Sequence, residues 1–210
     1  VWNGNTKIPS GGLASAITNI PGSSDPNRFF AVVEKDPPPL LEEYFELVTG
    51  PDLPANWSAT DNGAGTTWEV GAPSGAQFGP TAAANGSQCV GTNIGADYTA
   101  SADASLVTPA FTVPASGAVL SFSQFIDTEV SPSDDLGAIR LLSAADNSVL
   151  TGGDISTNLE GVAGVWTEES LPLPAVANGL AVKLEFRFTS DASQEFAGFY
   201  IDDVLVELSP

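Results

Sequence analysis

Apolar and polar side chains alternate in short runs along this chain, and no long segment carries the 3.6-residue apolar period of an amphipathic helix. The clearest run is Leu180 to Phe188. In an extended backbone Leu180, Val182, Leu184, Phe186 and Phe188 point one way, and Ala181, Lys183, Glu185 and Arg187 point the other. Gly117 to Ile126 repeats the pattern, with Leu120, Phe122 and Ile126 on one face. Further strands are predicted at 136–142, 166–171 and 196–208, and earlier at 44–48, 66–70, 88–91 and 106–113. That makes about nine strands, separated by segments rich in Gly, Pro, Ser, Asn and Asp, which favour turns over helices. The pattern predicts an all-β fold, a two-sheet antiparallel jelly-roll sandwich. Residues 71–87, rich in Gly, Ala, Ser and Pro, read as a long surface loop.

The first 43 residues depart from this pattern. Residues 1–27 are turn-rich and weakly patterned. Arg28-Phe29-Phe30-Ala31-Val32-Val33-Glu34 is strongly strand-forming, and the Pro-rich segment 36–39 that follows is a stiff spacer. The expected organisation is an N-terminal extended arm, 1–43, ahead of a jelly-roll domain, 44–210. A lone strand is unstable in water. The 28–34 strand must therefore pair with its own sheet, with a preceding domain, or with another copy of the chain. In the last case Phe29, Phe30, Val32 and Val33 are the inserted anchors. The contact is then head-to-tail and builds a homo-oligomer, a filament or surface layer when it does not close into a ring.

Charge narrows the function. Six Lys and Arg stand against 26 Asp and Glu, a net charge of −20. Such a surface repels nucleic acid and anionic membranes. No apolar run reaches the roughly 18 residues that membrane insertion needs. The chain contains no histidine, which removes the commonest general base, the usual transition-metal ligand and the Ser-His-Asp triad. A non-catalytic protein is expected. The single cysteine, Cys89, lies in an apolar stretch and is expected to be a buried, inert thiol. The chain starts at Val1 rather than Met, consistent with an extracellular protein whose signal peptide has been removed.

Asp202 and Asp203 interrupt the apolar run Gly198 to Val206. Strict alternation sends one of them toward a core or a neighbouring sheet, where a carboxylate is costly unless it is paired or metal-bound. Cations are few here, so a hard ion such as calcium is the natural partner. Asp134-Asp135 reads as a solvated loop, and Glu42-Glu43 and Glu168-Glu169 read as surface charges.

An ordered set of short motifs then carries a resemblance over residues 44–208. It runs through Phe45-Glu46, Leu53-Pro54-Ala55-Asn56-Trp57, Trp68-Glu69-Val70-Gly71 and Gly91-Thr92-Asn93 with Tyr98. Leu106-Val107-Thr108-Pro109, Leu120-Ser121-Phe122 and Gly198-Phe199-Tyr200-Ile201-Asp202-Asp203-Val204 complete it. This set resembles the MAM-like, or choice-of-anchor J, jelly-roll domains of bacterial secreted and surface proteins. The resemblance implies an extracellular domain without catalytic residues, holding a structural Ca2+. It implies Glu46 and Asp202 as ligands, joined by Asp203 and a loop oxygen near Asn93 or Asp97.

Aromatic residues offer a second chemistry. Trp2, Trp57, Trp68 and Trp166, with Tyr98 and Tyr200, either stack on sugar rings or fill the core. Trp68 and Trp166 sit on strand-like runs and read as core. Trp57, beside polar loop residues, is the more open candidate ligand aromatic. The favoured expectation is a structural or adhesive protein that self-assembles through its arm and is stiffened by calcium. The alternative is a carbohydrate-binding or targeting module of a larger secreted enzyme or adhesin, with a glycan or surface protein as partner.

Overall fold

The computed structural model of the chain describes residues 7–10, 13–16, 37–63, 65–75, 79–129, 135–161 and 164–209. It divides into two compact units, Val1–Pro38 and Pro39–Pro210. The first contains an antiparallel hairpin, β1 (Lys7–Ser10) and β2 (Leu13–Ala16), paired from Lys7 with Ala16 to Ser10 with Leu13. A turn-rich segment was expected there. Strands of four residues, one of them containing Pro9, are too short to show an alternation. The expected assembly strand 28–34, with Phe29, Phe30, Val32 and Val33, lies outside the described residues.

The second unit is a sandwich of two antiparallel sheets, six strands in each. Sheet I has the order β11 (Val149–Leu159), β10 (Leu136–Ser143), β13 (Ala181–Thr189), β7 (Asp103–Val107) and β4 (Ser58–Asp61). The two-residue β8 (Phe111–Thr112) also pairs with β13. Sheet II has the order β12 (Thr167–Pro172), β9 (Ala118–Asp127), β14 (Gly198–Leu208), β6 (Cys89–Thr92) and β5 (Trp68–Gly71), with β3 (Leu41–Glu43) also beside β14. The fold class is the expected all-β sandwich.

Alternation puts the core between the sheets. Val182, Leu184, Phe186 and Phe188 of β13 are fully buried, as are Phe199, Ile201, Val204 and Val206 of β14. Phe122 of β9 meets Phe186 edge to face, with ring centroids 5.7 Å apart, and so joins the two sheets. Each such side chain contributes about 1.5–3 kcal/mol by burial. The polar face of β13 is satisfied across sheet I. Glu185 accepts from Ser105 Oγ at 2.8 Å and pairs with Arg140, and Arg187 forks onto Asp103 at 2.8 and 3.0 Å.

Several expected boundaries move. Residues 44–48 are a turn, not the first strand. Phe45 takes a left-handed φ of 60°, and its N–H donates to Glu43 Oε1 at 2.7 Å. The first strand of the sandwich is β3, so the compact unit begins before residue 44. The single run 106–113 is two strands, because Thr108 and Pro109 interrupt the pairing with β13. Edge strands β4 and β11 were not expected. Only Gly153 of β11 is fully buried, and its register with β10 shifts three times, so no apolar stripe marks it.

Phe186→Ala is expected to destabilise the sandwich by about 3–5 kcal/mol in urea unfolding, because it leaves a cavity at the inter-sheet contact. Leu47→Ala, at a side chain that is 100 % exposed, is expected to change stability by no more than about 0.5 kcal/mol.

Candidate functional site

The site is built by one extra residue in β14. Phe199 and Ile201 face the core on one side of the Asp pair, and Val204 and Val206 face it on the other. Two residues, rather than one, therefore separate the inward positions. The pairing with β9 shows the same shift, Asp202 opposite Ser123 and Leu205 opposite Ser121. Asp203 carries the bulge in a left-handed conformation, φ 52°, which aspartate tolerates better than most residues. One aspartate was expected to point toward a core or a neighbouring sheet; one of the pair is indeed buried, but both lie on the outer face of sheet II rather than between the sheets.

They meet different surroundings there. Asp202 is 0 % exposed because the loop before β6 lies over it, and its carboxylate accepts Asn85 N at 3.1 Å and Asp203 N at 2.8 Å. Neither Arg187 nor Lys183 reaches it; they bond Asp103 and Asn147. Burial pushes the Asp202 carboxyl up to about 6. Beyond Asp202 the outer face is covered. Cys89, Phe125, Ala197 and Tyr200 form a second small core, packed by Ala83, Ile94 and Trp166. Trp166 Nε1 donates to Ala82 O at 2.9 Å and ties this loop to the edge of the sheet. Gly91 has no side chain because a Cβ there would enter the Tyr200 ring. Cys89 is buried, as expected, and burial pushes its thiol up.

On the other side of the Asp pair the face is open. A groove of about 380 Å³ runs over β12, β9 and β14, lined by Tyr44, Ser121, Ser123, Glu168, Ser170 and Asp203. A second hollow of about 340 Å³, lined by Tyr44, Glu46, Asn85, Gly86 and Asp203, shares Tyr44 and Asp203 with the first. Tyr44 is 43 % exposed, and its hydroxyl donates to Glu42 Oε1 at 2.6 Å, which fixes the ring at the junction of the two hollows. That bond, with burial and the neighbouring carboxylates, pushes the phenol up to about 12. Glu46 clamps the far rim: its carboxylate accepts Ser87 N, Ser87 Oγ and Gln88 N, each at 2.8 Å. These bonds hold it below the usual carboxylate range.

The expected calcium ligands therefore divide. Glu46, Asp202 and Asp203 meet the same loop, although their carboxylate oxygens do not all lie within 4.8 Å of one another. Asn93 organises its own turn instead, accepting Thr67 N at 3.1 Å and donating to Asp97 O at 3.2 Å. Asp97 belongs to an acidic group where β9 ends and β14 begins. Burial, helped by the Glu195 charge, pushes its carboxyl up. Near it, carboxylate oxygens of Glu129, Asp135 and Asp191 lie within 4.8 Å of one another. Asp135, expected in a solvated loop, is fully buried and accepts Tyr98 Oη at 2.5 Å and Asp191 N at 2.7 Å. No local signal joins three acids so far apart in sequence. Trp57 is only 8 % exposed and packs edge-on to Phe45 at 5.5 Å, so it is a core residue rather than an open platform. The exposed aromatic at the groove is Tyr44, which the sequence placed within a strand.

The chain is thus a β-sandwich with one face of sheet II half covered and half open. Residues 41–206 match the model of the Cleaved Adhesin Domain, and the chain belongs to that family. The expected MAM-like label is not the family that matches, although it denotes a related kind of β-sandwich domain. Bacillopeptidase F of Bacillus subtilis (strain 168) is 33 % identical over 73 % of this chain, which spans about a tenth of that protein, 10 % of its length. The K1 cleaved adhesin domain of Lys-gingipain from Porphyromonas gingivalis W83 superposes with a TM-score of 0.52 at 22 % identity, covering 81 % of this chain and 98 % of that one. The CBM22-1 xylan-binding domain of Paenibacillus barcinonensis Xyn10C gives a TM-score of 0.50 at 15 % identity, covering 84 % and 97 %. These likenesses show the sandwich fold. Among the described residues, no helix is long and apolar enough to cross a membrane.

Asp202 makes a pH signature. Its carboxyl titrates near 6 when folded, against an ordinary value of 3.8. Between about pH 4 and 6 the folded chain holds a proton that the unfolded chain has released, so this group makes stability fall as pH rises through that window, by about 3 kcal/mol. With a chelator present, Asp202→Asn is expected to match the wild type near the bottom of the window. Above it the variant is expected to be the more stable, in urea titrations across pH. Parallel curves for the two proteins would exclude the assignment.

Proposed function

We propose that this chain is a non-catalytic adhesive module of a larger secreted protein, binding a glycan in the open groove of sheet II. The observation that carries the reading is the exposed, tethered ring of Tyr44 standing over a row of hydroxyls and carboxylates, Ser121, Ser123, Ser170, Glu168 and Asp203. A flat ring beside fixed hydrogen-bonding groups suits a sugar, which presents an apolar face edged by hydroxyls. The groups sit on paired strands, so little order is lost on binding. Membership of an adhesin family supports the role, and the xylan-binding relative offers a fold-level analogy. Self-assembly through the 28–34 strand rests on residues outside those described and is no part of this reading.

A structural calcium belongs to the same proposal. Two sets of oxygen donors suit a hard cation: Glu46, Asp202 and Asp203 at the groove rim, and Glu129, Asp135 and Asp191 beyond the covered face. The oxygens of the second set all lie within 4.8 Å of one another and those of the rim set do not, which favours the second set and leaves the groove carboxylates without a counter-ion.

A glycan array followed by titration calorimetry tests the binding role. Tyr44→Ala is expected to weaken a hit by roughly 10-fold or more, the loss of about 1.4 kcal/mol or more of ring contact, with folding unchanged. An array without hits, or a hit indifferent to Tyr44→Ala, would remove the reading. Calcium at about 100 times its Kd is expected to raise Tm by roughly 5–10 °C over chelator. Asp203→Asn abolishes the shift if the rim holds the ion, and Asp135→Asn abolishes it if the other set does.

A further inference from the structure

The cations of the sandwich are segregated. Residues 39–210 contain three basic side chains, Arg140, Lys183 and Arg187, and all three lie on β10 and β13 of sheet I. Each is engaged there, with Glu185, Asn147 and Asp103. The strands of sheet II carry no Lys or Arg at all. The open groove on that sheet is nonetheless lined by Glu168 and Asp203, with Glu46 on its rim, and no described cation lies among its lining residues.

We infer that the groove selects cationic amino sugars, glucosamine-type oligosaccharides with free amino groups. This rests on the glycan-binding reading above and names the class of glycan. A neutral sugar would answer the hydroxyl row and the Tyr44 ring but leave the uncompensated carboxylates without a counter-charge. A uronic or sulfated glycan would bring like charge against them, and like charges facing each other across an interface are strongly disfavoured. A protonated amine on a pyranose ring meets all three features. Its ring stacks on Tyr44, its hydroxyls reach Ser121, Ser123 and Ser170, and its ammonium faces Glu168 or Asp203. The aromatic face adds to the attraction, since a cation over a tyrosine face is drawn by the ring quadrupole. A Lys-rich peptide would satisfy the charge alone and would use neither the hydroxyl row nor the flat ring.

The experiment compares short oligomers of glucosamine, N-acetylglucosamine and glucuronate, with oligolysine as a charge control, by calorimetry on the whole chain. Glucosamine oligomers are expected to bind about 10-fold or more tightly than the acetylated form, and glucuronate not at all. The advantage is expected to shrink in about 0.5 M salt, where charges are screened beyond a few ångströms. Glu168→Gln and Asp203→Asn are each expected to reduce it. Asp154→Asn, which removes one exposed charge from sheet I, is expected to leave it intact. Equal or tighter binding of the acetylated oligomer would overturn the inference and leave the glycan-binding reading standing. So would an amine advantage untouched by Glu168→Gln and Asp203→Asn. Oligolysine binding as tightly as the sugar, with both unaffected by Tyr44→Ala, would overturn the amino-sugar assignment and the glycan reading together.

Discussion

The hydrogen bond from Asn85 N to the buried Asp202 carboxylate divides sheet II into a covered half and an open half. It exists because β14 carries an extra residue. Without the left-handed step at Asp203, strict alternation would have driven one carboxylate between the sheets, at a cost of several kcal/mol. With it, the apolar positions on both sides of the bulge keep their places in the core, and the acids turn outward. One then pins the overlying loop, and the other faces the groove. The pin is under electrostatic strain, since Asp202 is buried among partners that donate hydrogen bonds but bring no positive charge.

Charge is arranged by sheet. Sheet I pairs two of its carboxylates with cations, Glu185 with Arg140 and Asp103 with Arg187, across neighbouring strands. Such partly exposed pairs add little stability. With Lys183 held by Asn147, no Lys or Arg of residues 39–210 is left over to neutralise sheet II. Like charges on one face repel, and a fold serves no packing purpose by concentrating them there. A surface so arranged raises the local concentration of cations and turns away anions.

The sandwich was legible because its central strands bury one side and expose the other. Leu180 to Phe188 showed this alternation in sequence, and Val182, Leu184, Phe186 and Phe188 are fully buried. Edge strands were illegible for the converse reason: β11 packs Leu150, Ile155 and Leu159 on the core at spacings its shifting register makes irregular, and β4 is mostly exposed, so neither shows a period. The importance of the Asp pair was visible, but the bulge was not, because a left-handed aspartate has no signature that separates it from a strand residue. The acids Glu129, Asp135 and Asp191 come together only through the ends of separate strands, which is a property of topology rather than of spacing.

The aromatic residues at the groove show how the core sets the surface. Phe45 is fully buried although it lies in a turn, and it packs edge-on to Trp57 at 5.5 Å. Its left-handed backbone costs about 1–2 kcal/mol, and burying a phenylalanine offsets that cost with about 1.5–3 kcal/mol. Once Phe45 turns inward, the chain on either side faces outward, and Tyr44 stands over the groove while Glu46 reaches the loop at Ser87. Trp57 thus stands one step behind the proposed platform: it holds the residue whose burial presents Tyr44. Loss of the Trp57 ring would loosen Phe45 first and the tyrosine only through it. A role for Trp57 in recognition therefore has to be sought in the geometry of the 44–46 turn, not in a contact of its own.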